Sequence, residues 1–346
     1  MNYSRSVSHW RFKGDRGSSL MIVIWSMMIM SIAVIGLVEY MDFGLDEDIV
    51  AEKDFQARKL AESGITLALH PQIQAGDPLL AQSVSAAKSY SVTISNEGAR
   101  LAVNQLPALP ELRRVCRDLF GRWGLDLDKS TALVDCISDW IDVDNDARIQ
   151  GAENDYYVAL GFPEYPRNRP FDSLEEMLQV PGMEELDQLK PDWRDAFTLY
   201  GDGKIDIHEA PWELLSVLFI TDGAYVDRVI KFRLGADGIR YTDDDERFAS
   251  MAALRNFLQL EARKFARLEP LITLSHPIQR IESRGSVSDY SKTLIAIVGP
   301  GIRVLREKPE ISKPFLAALP TDGSSADPTT ENPDAESPDT TATLSD

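Results

Sequence analysis

The beginning of the chain has the pattern of one continuous helix with two different halves. Residues 18–38 contain no charged side chain and are dominated by Ile, Leu, Val and Met. A helix needs about 20 such residues to cross the ~30 Å apolar core of a bilayer. From residue 39 to residue 70 no proline occurs, and apolar residues recur at helical spacing among charged ones. The pattern predicts a helix over 18–70, with a transmembrane segment over 18–38 and an amphipathic second half.

The charges on either side of the apolar run predict its orientation. Basic residues precede the run at positions 5, 11, 13 and 16, and acidic residues follow it from position 39. By the positive-inside rule, the N-terminus stays in the cytoplasm and the bulk of the chain is exported. A secretory signal peptide is disfavoured, because its apolar region is usually only about 7–15 residues long and ends in a small-x-small cleavage site. The apolar run alone does not exclude a plain signal anchor.

Short β-type patterns after residue 71 predict an antiparallel sheet that is split in sequence. Strands over 89–94 and 99–104, with a turn at 96–98, predict a hairpin. Three further strands are predicted over 278–283, 291–298 and 302–306, with Gly285 and residues 299–301 as breakers. We therefore expect an α+β fold. Residues 71–109 and 275–309 form its body, the long helix packs on the sheet, and residues 110–274 form an inserted helical domain.

Within the insert, apolar periodicity predicts short helices between acidic, Gly- and Pro-containing loops. Their expected ranges are 112–123, 129–140, 173–180, 183–189, 210–219, 224–233 and 251–257, the second capped by Asp128 or Ser130. Two segments, 178–183 and 203–211, resemble helix-hairpin-helix units, which bind phosphates in DNA-repair proteins. Their acidic surroundings and the formal net charge of −19 argue against a nucleic-acid partner.

The last residues differ from the rest of the chain in composition. Residues 310–346 are rich in Ser, Thr, Pro, Asp and Glu and contain few large apolar side chains. Such a segment cannot bury enough surface to offset the entropy of ordering it. The composition predicts a disordered acidic tail.

The main candidate site is the acidic stretch 139–157. Its potential ligands are Asp142, Asp144, Asp146, Glu153 and Asp155. Calcium takes six to eight hard oxygen ligands, several of them carboxylates, on a flexible loop. Counted from Asp142, the spacing of the first four follows an EF-hand, but Ala147 stands where that loop has Gly. We interpret the stretch as a calcium-binding loop of another type, with a solvated acidic loop as the alternative.

Two further features leave alternatives open. A second acidic run, 235–246, is either another metal site or a solvated loop, because adjacent like charges need a cation or solvent to screen them. Its candidate ligands are Asp237, Asp243, Asp244 and Asp245. Cys116 and Cys136 could form a disulfide in an oxidising compartment if their Cα atoms come within ~7 Å. Otherwise they are two buried free thiols.

No pattern in the sequence indicates an enzyme. The four histidines are scattered and lack the paired spacing of a zinc site. The chain has no G-x-S-x-G element, P-loop or dinucleotide-binding fingerprint. We expect a component of an assembly rather than a catalyst.

Several motifs together resemble one family, the K-type minor pseudopilins of type II secretion systems. Residues 13–20 resemble a type IV prepilin leader with Gly17 before the apolar run, and Ile22 stands where most such proteins carry Glu. Residues 61–68 resemble the A-x-x-G-x-x-x-A segment that follows the membrane span in pseudopilins. Residues 203–211 resemble the K-type G-K-I-N-I-N-T-A-P turn, and 139–157 match the K-type block that begins D-W-I-D-x-D and continues to G-A-E-x-x-Y-Y. A sheet split by a large helical insert is also the plan of this family.

This resemblance implies a cut by the prepilin peptidase after Gly17, which removes a leader over 1–17, and methylation of the new N-terminal Ser18. It implies bound calcium in the 139–157 loop and a single-pass inner-membrane protein with its bulk in the periplasm. The implied partners are the I-type and J-type minor pseudopilins and the major pseudopilin. The implied role is to initiate or cap the pseudopilus at its tip, for protein export across the outer membrane. The alternative is a signal-anchored periplasmic calcium-binding or adhesion module unrelated to secretion.

Overall fold

The computed structural model of the chain describes residues 18–219 and 223–308. The predicted leader with Gly17 and the predicted tail over 310–346 lie outside these residues. The described residues confirm the expected α+β class: a long N-terminal helix, an antiparallel sheet of five strands, and a helical domain that interrupts this sheet in sequence.

The helices and strands are numbered in chain order. The helices are α1 (Ser18–Ala68), α2 (Pro110–Arg122), α3 (Leu127–Ile141), α4 (Asn154–Ala159), α5 (Met183–Leu189), α6 (Trp212–Phe219), α7 (Gly223–Arg233), α8 (Met251–Leu258) and α9 (Ala262–Leu268). The strands are β1 (Ala81–Ser85), β2 (Lys88–Asn96), β3 (Leu101–Ala102), β4 (Phe197–Thr198), β5 (Ile205–Asp206), β6 (Ile272–Thr273), β7 (Gln279–Val287), β8 (Tyr290–Gly299) and β9 (Ile302–Glu307).

Helix α1 has the two halves that its sequence predicts. The segment Leu20–Tyr40 is long and apolar enough to cross a membrane, and it is the one such segment in the described part of the chain. None of this segment is buried against the other described residues. Its apolar side chains are therefore available to lipid or to other helices.

The second half of α1 lies on the sheet through small residues. Ala57, Ala61 and Ala68 are buried at the contact, and α1 packs against β2, β7 and β8. A Cβ atom at Gly285 in β7 would overlap the carbonyl oxygen of Ala57, and one at Gly64 would overlap Ser283 Oγ. Gly285 is thus not the breaker that its sequence suggests, because it lies inside a regular strand where the helix backbone approaches closely.

The main sheet has the strand order β1-β2-β7-β8-β9, and all neighbouring strands are antiparallel. The strands predicted after residue 277 are confirmed, although β7 and β8 are longer than expected. The predicted return strand over 99–104 is wrong. Residues 101–102 instead pair in parallel with β4, and β2 pairs with β1 on one side and β7 on the other. Because Leu101 and Val103 are both fully buried, this segment belongs to the core of the helical domain.

The residues between β2 and β7 have a hydrophobic core of their own, which includes the fully buried Trp140, Trp193, Phe120 and Phe197. The predicted helix over 173–180 is a short 3₁₀ segment, Glu175–Gln179, and α4 and α9 are helices that the periodicity does not reveal. The side chain of Asp126, not of Asp128 or Ser130, caps α3 by accepting from the Lys129 N–H.

Polar contacts join this domain to the sheet. The amide of Asn96, at the end of β2, donates to Asp206 Oδ2 over 2.7 Å. The hydroxyl of Tyr241 donates to the carbonyl of Ile94 over 3.0 Å. Lys308, directly after β9, forms an ion pair with Asp195 at 2.8 Å. These contacts connect the helical domain to the end of β2 and to the residue after β9.

Candidate metal centre

The two ends of the acidic loop are set by the helices that flank it. Asp142 follows the last residue of α3, and its N–H donates to the carbonyl of Ser138. Glu153 occupies the N-cap position of α4 with an extended backbone. Residues that are far apart along the loop are therefore delivered to one place by the C-terminus of one helix and the N-terminus of the next.

Three of the five predicted ligands come together at this place. Carboxylate oxygens of Asp142, Asp144 and Glu153 all lie within 4.8 Å of one another. Two oxygens on opposite sides of one calcium ion lie about 5 Å apart, since each bond is about 2.3–2.6 Å long. The spacing of these carboxylates is thus compatible with a shared cation.

The environment of Glu153 bears most directly on whether these carboxylates fit a cation. Its side chain is only 5% exposed, and neither carboxylate oxygen has a hydrogen-bond partner within the described residues. Burial raises the pKa of Glu153 to about 7, and the neighbouring carboxylates of Asp139, Asp142 and Asp144 contribute to this rise. A buried carboxylate is costly unless a partner compensates its charge. The donor set therefore fits a hard divalent cation.

Asp142 is held in an asymmetric way. Its Oδ2 accepts from Arg148 Nη1 over 2.5 Å, whereas its buried Oδ1 has no partner in the part of the chain that the structure describes. The pKa of Asp142 is raised, mainly by burial, although the hydrogen bond and charge of Arg148 act in the opposite direction. One oxygen is therefore occupied, and the other remains as an acceptor.

Asp139 and Arg148 lie within the acidic stretch 139–157, but the sequence did not predict a role for either residue. Asp139 is fully buried. It accepts from the Arg148 guanidinium through Oδ1 and from the Arg148 N–H, at 3.1 Å, through Oδ2. A Cβ atom at Gly151 would overlap Asp139 Oδ2, so the close approach of the loop requires glycine there. The sequence signal that could have identified this pair is a basic residue, Arg148, inside an acidic stretch.

The sequence pattern did not indicate a role for Asn168 either. It adopts a left-handed backbone conformation with φ of 47°. Its amide nitrogen donates to the carbonyl of Asp144 over 2.9 Å and to Asn145 Oδ1 over 3.0 Å. A later part of the chain thereby holds the middle of the acidic loop in place.

The other two predicted ligands lie outside the three-carboxylate group. Asp146 is exposed, and its N–H donates to Asp144 Oδ1 over 3.0 Å. Asp155 is exposed in the first turn of α4. As placed here, both carboxylates face the surface of the loop.

Three of the four candidate carboxylates in the second acidic run, those of Asp237, Asp244 and Asp245, accept hydrogen bonds from within the loop. Asp244 Oδ2 accepts from the N–H groups of Ala236 and Asp237, and Asp245 Oδ2 accepts from the N–H of Tyr241. Asp237 Oδ1 accepts from the N–H of Ile239 over 2.8 Å. Within the described residues, neither these carboxylates nor that of Asp243 belongs to a group spaced for a metal. This arrangement supports a loop that is closed by its own hydrogen bonds.

The two cysteines are free and buried, so the disulfide alternative is not formed in this structure. The thiol of Cys136 in α3 donates to the carbonyl of Gln150 at 3.6 Å. Burial raises the pKa of Cys136 to about 12, and burial also raises the pKa of Cys116. Both are packed as small apolar side chains.

The turn over 203–211 is a structural element. Asp206 is buried, and its Oδ1 accepts from the His208 N–H over 2.9 Å. His208 Nε2 accepts from the Phe248 N–H over 2.9 Å. These polar groups are occupied within the protein rather than presented to a phosphate.

Comparisons with known proteins find a family match over part of the chain. A family model described as type II secretion system (T2SS), protein K, matches residues 98–191. Type II secretion system protein K of Pectobacterium carotovorum subsp. carotovorum is 28% identical over 109 residues, which are 32% of this chain and 33% of that protein. The chain thus spans about a third of the length of this curated relative.

A solved structure has a similar fold. A chain in the crystal structure of the GspK-GspI-GspJ complex from the enterotoxigenic Escherichia coli type 2 secretion system aligns with a TM-score of 0.55 and 15% identity. The alignment covers 78% of this chain and 99% of that chain.

The alignment shows that the chain shares an overall fold with this solved protein. Residues 98–191, which contain α2, α3 and the acidic loop, are similar to protein K of the type II secretion system. The resemblance to K-type minor pseudopilins is thereby confirmed, and that family consists of structural subunits rather than enzymes.

Proposed function

We propose that this protein is the minor pseudopilin at the tip of a type II secretion pseudopilus, where it initiates or caps assembly without catalysing a reaction. The observation that carries this proposal is the separate helical core between the end of β2 at Asn96 and the start of β7 at Gln279. A domain of this bulk cannot be repeated at every position of a closely packed filament. The end of the filament leaves room for it.

Ile22 in α1 supports the same position. A subunit with Glu there can neutralise the N-terminal amine of the subunit above it. Ile22 has no charge to offer, so this chain lacks one contact that would favour a subunit above it. The proposal therefore combines a steric reason and an electrostatic reason for the tip.

We infer a single pass through the inner membrane, with Leu20–Tyr40 as the span and the helical domain in the periplasm. The basic residues before the span and the acidic residues after it support this topology. The inferred partners are the I-type and J-type minor pseudopilins, the major pseudopilin and the prepilin peptidase. The solved neighbour, which comes from a complex of three Gsp proteins, supports the first two.

The acidic loop is proposed to hold calcium through Asp142, Asp144 and Glu153. When bound, the ion would neutralise carboxylates that otherwise repel one another. Its binding would stabilise the loop between α3 and α4, and with it the folded helical domain. Asp146 and Asp155 are further candidate ligands from the sequence.

The tip position can be tested on assembled pseudopili in cells that carry an epitope in the helical domain. Gold labelling should find the epitope at one end of each filament, and the full-length protein should co-purify with the I-type and J-type subunits from membranes. Label distributed along the filaments would contradict the tip position. Failure to co-purify with either minor subunit would contradict the proposed complex.

The mature N-terminus separates this proposal from the signal-anchor alternative. Intact-mass analysis of the membrane-extracted protein should give a chain that begins at a methylated Ser18. A protein that retains residues 1–17 in cells with active prepilin peptidase would contradict the pseudopilin function.

A further inference from the structure

We propose that Asp139 and Arg148 act as a positioning pair that orients Asp142 toward the divalent cation. This inference rests on the proposed calcium site and adds to it the residues that prepare one ligand. Neither residue belongs to the three-carboxylate group itself.

Asp142 presents its two oxygens to different surroundings. Arg148 Nη1 binds Asp142 Oδ2 at 2.5 Å, and Asp142 Oδ1 is buried without a partner within residues 18–219 and 223–308. A carboxylate whose one oxygen is fixed can rotate less around its terminal bond. Oδ1 is therefore the oxygen that is left for a cation shared with Asp144 and Glu153.

Arg148 is itself held in place. Asp139, at 0% exposure, accepts from the Arg148 guanidinium and from the Arg148 backbone N–H. The loop backbone at Gly151 packs against the same carboxylate so closely that a Cβ atom would not fit. The order of support thus runs from the fully buried Asp139 to Arg148, and from Arg148 to Asp142.

The charges of Asp139 and Arg148 decide whether Arg148 positions a calcium ligand or competes with calcium for it. A guanidinium beside a metal ligand could act as a built-in cation that opposes calcium. However, the charge of Arg148 is matched by that of Asp139, so the pair is neutral. The pair therefore adds no net charge beside the three ligand carboxylates. Hydrogen-bonded residues behind metal ligands typically change metal affinity by about 10–100-fold when they are removed.

The test measures calcium binding by calorimetry to the full-length, detergent-solubilised and chelator-stripped protein. The variants are Arg148→Lys, which keeps the charge but loses the planar fork, and Arg148→Gln, which loses both. Arg169→Lys and Arg169→Gln are the matched controls, because Arg169 lies nearby in sequence but pairs with Asp172 at 2.6 Å. Melting temperatures in chelator show how far each variant alters folding without metal.

Positioning predicts that both Arg148 variants raise the calcium Kd by about tenfold or more, with the Arg169 controls within about threefold of the wild type. Loss of affinity in Arg148→Lys is the decisive result, because the charge is retained. Tighter binding by Arg148→Gln would show competition and overturn the inference. An unchanged Kd with only a lower melting temperature would show a purely structural ion pair and would also overturn it. No binding by the wild type and all variants would instead overturn the calcium site itself.

Discussion

The two acidic loops of this protein have similar compositions, but the pKa of a carboxyl group is lowered in one and raised in the other. In the 235–246 loop, the hydroxyl of Thr242 and the backbone N–H groups of residues 236 and 237 donate to Asp244, and these contacts lower its pKa. In the 142–153 loop, burial and neighbouring carboxylates raise the pKa of Glu153 to about 7. The 235–246 loop provides hydrogen-bond donors for its own carboxylates. The 142–153 loop instead brings carboxylates together and leaves Glu153 without a donor within the described residues.

This difference shows why a count of acidic residues does not identify a metal site. The four adjacent acids at 243–246 are denser in sequence than those of the 139–157 block. What separates the two loops is the supply of hydrogen-bond donors from the backbone, which depends on the conformation of each loop. A bound cation can compensate carboxylates only where such donors are lacking.

The largest expected effect comes from neutralising Glu153 in the absence of metal. Glu153→Gln should stabilise the chelator-treated protein at pH 8 by about 3 kcal/mol, the equivalent of moving a carboxyl pKa from 4.5 to about 7. The folded state binds this proton more tightly than the unfolded state. The wild-type contribution is therefore fully present below pH 4.5 and is lost as the pH rises through about 7.

Denaturant unfolding in chelator at pH 4 and at pH 8 measures this effect. The variant and the wild type should be about equally stable at pH 4 and should differ at pH 8. A variant that is less stable than the wild type at pH 8 would mean that the Glu153 charge already has a partner.

A smaller effect is expected from Gly151→Ala. The added methyl group would overlap the buried carboxylate of Asp139, and such overpacking typically costs about 1–3 kcal/mol. Gly121→Ala in α2 is the matched control, because the nearest side-chain atom lies 4.0 Å from the place that its added Cβ would occupy. Thermal unfolding should show a lower melting temperature for the first variant only. Equal melting temperatures would mean that the loop backbone can move away from Asp139 at little cost.

The smallest effect is expected in the 235–246 loop. Asp244→Asn should lower the melting temperature slightly, because an amide accepts the loop hydrogen bonds less well than a carboxylate. The change should be the same in calcium and in chelator. A calcium-dependent difference between this variant and the wild type would show that the second loop also binds metal.

The elements that were predicted correctly are those whose signal is local. The length of α1, its two halves and the strands β7 to β9 follow from periodicity within each segment. The hairpin failed because β1, the true neighbour of β2, is an exposed edge strand with the weakly patterned sequence A-Q-S-V-S. Gly285 was misread because the approach of α1 to β7 joins residues that are far apart in sequence.

The same distinction applies to the candidate site. The spacing of the acidic block located Asp142, Asp144 and Glu153, which the two helix ends bring together. Arg148 and Asn168 were missed because their roles depend on which carboxylate or carbonyl they face in three dimensions. The internal hydrogen bonds of the 235–246 loop could not be predicted for the same reason. Their donors are backbone N–H groups, which every residue except proline carries.

The most direct test of the calcium site is the melting temperature of the full-length protein in calcium and in chelator, for the wild type, Asp144→Ala and Asp243→Ala. At about a hundredfold excess of calcium over its Kd, the wild type should gain about 2.7 kcal/mol of stability. Asp144→Ala should lose most of this gain, and Asp243→Ala should retain it. Identical wild-type curves in calcium and chelator would contradict the claim that the 142–153 loop is a calcium site.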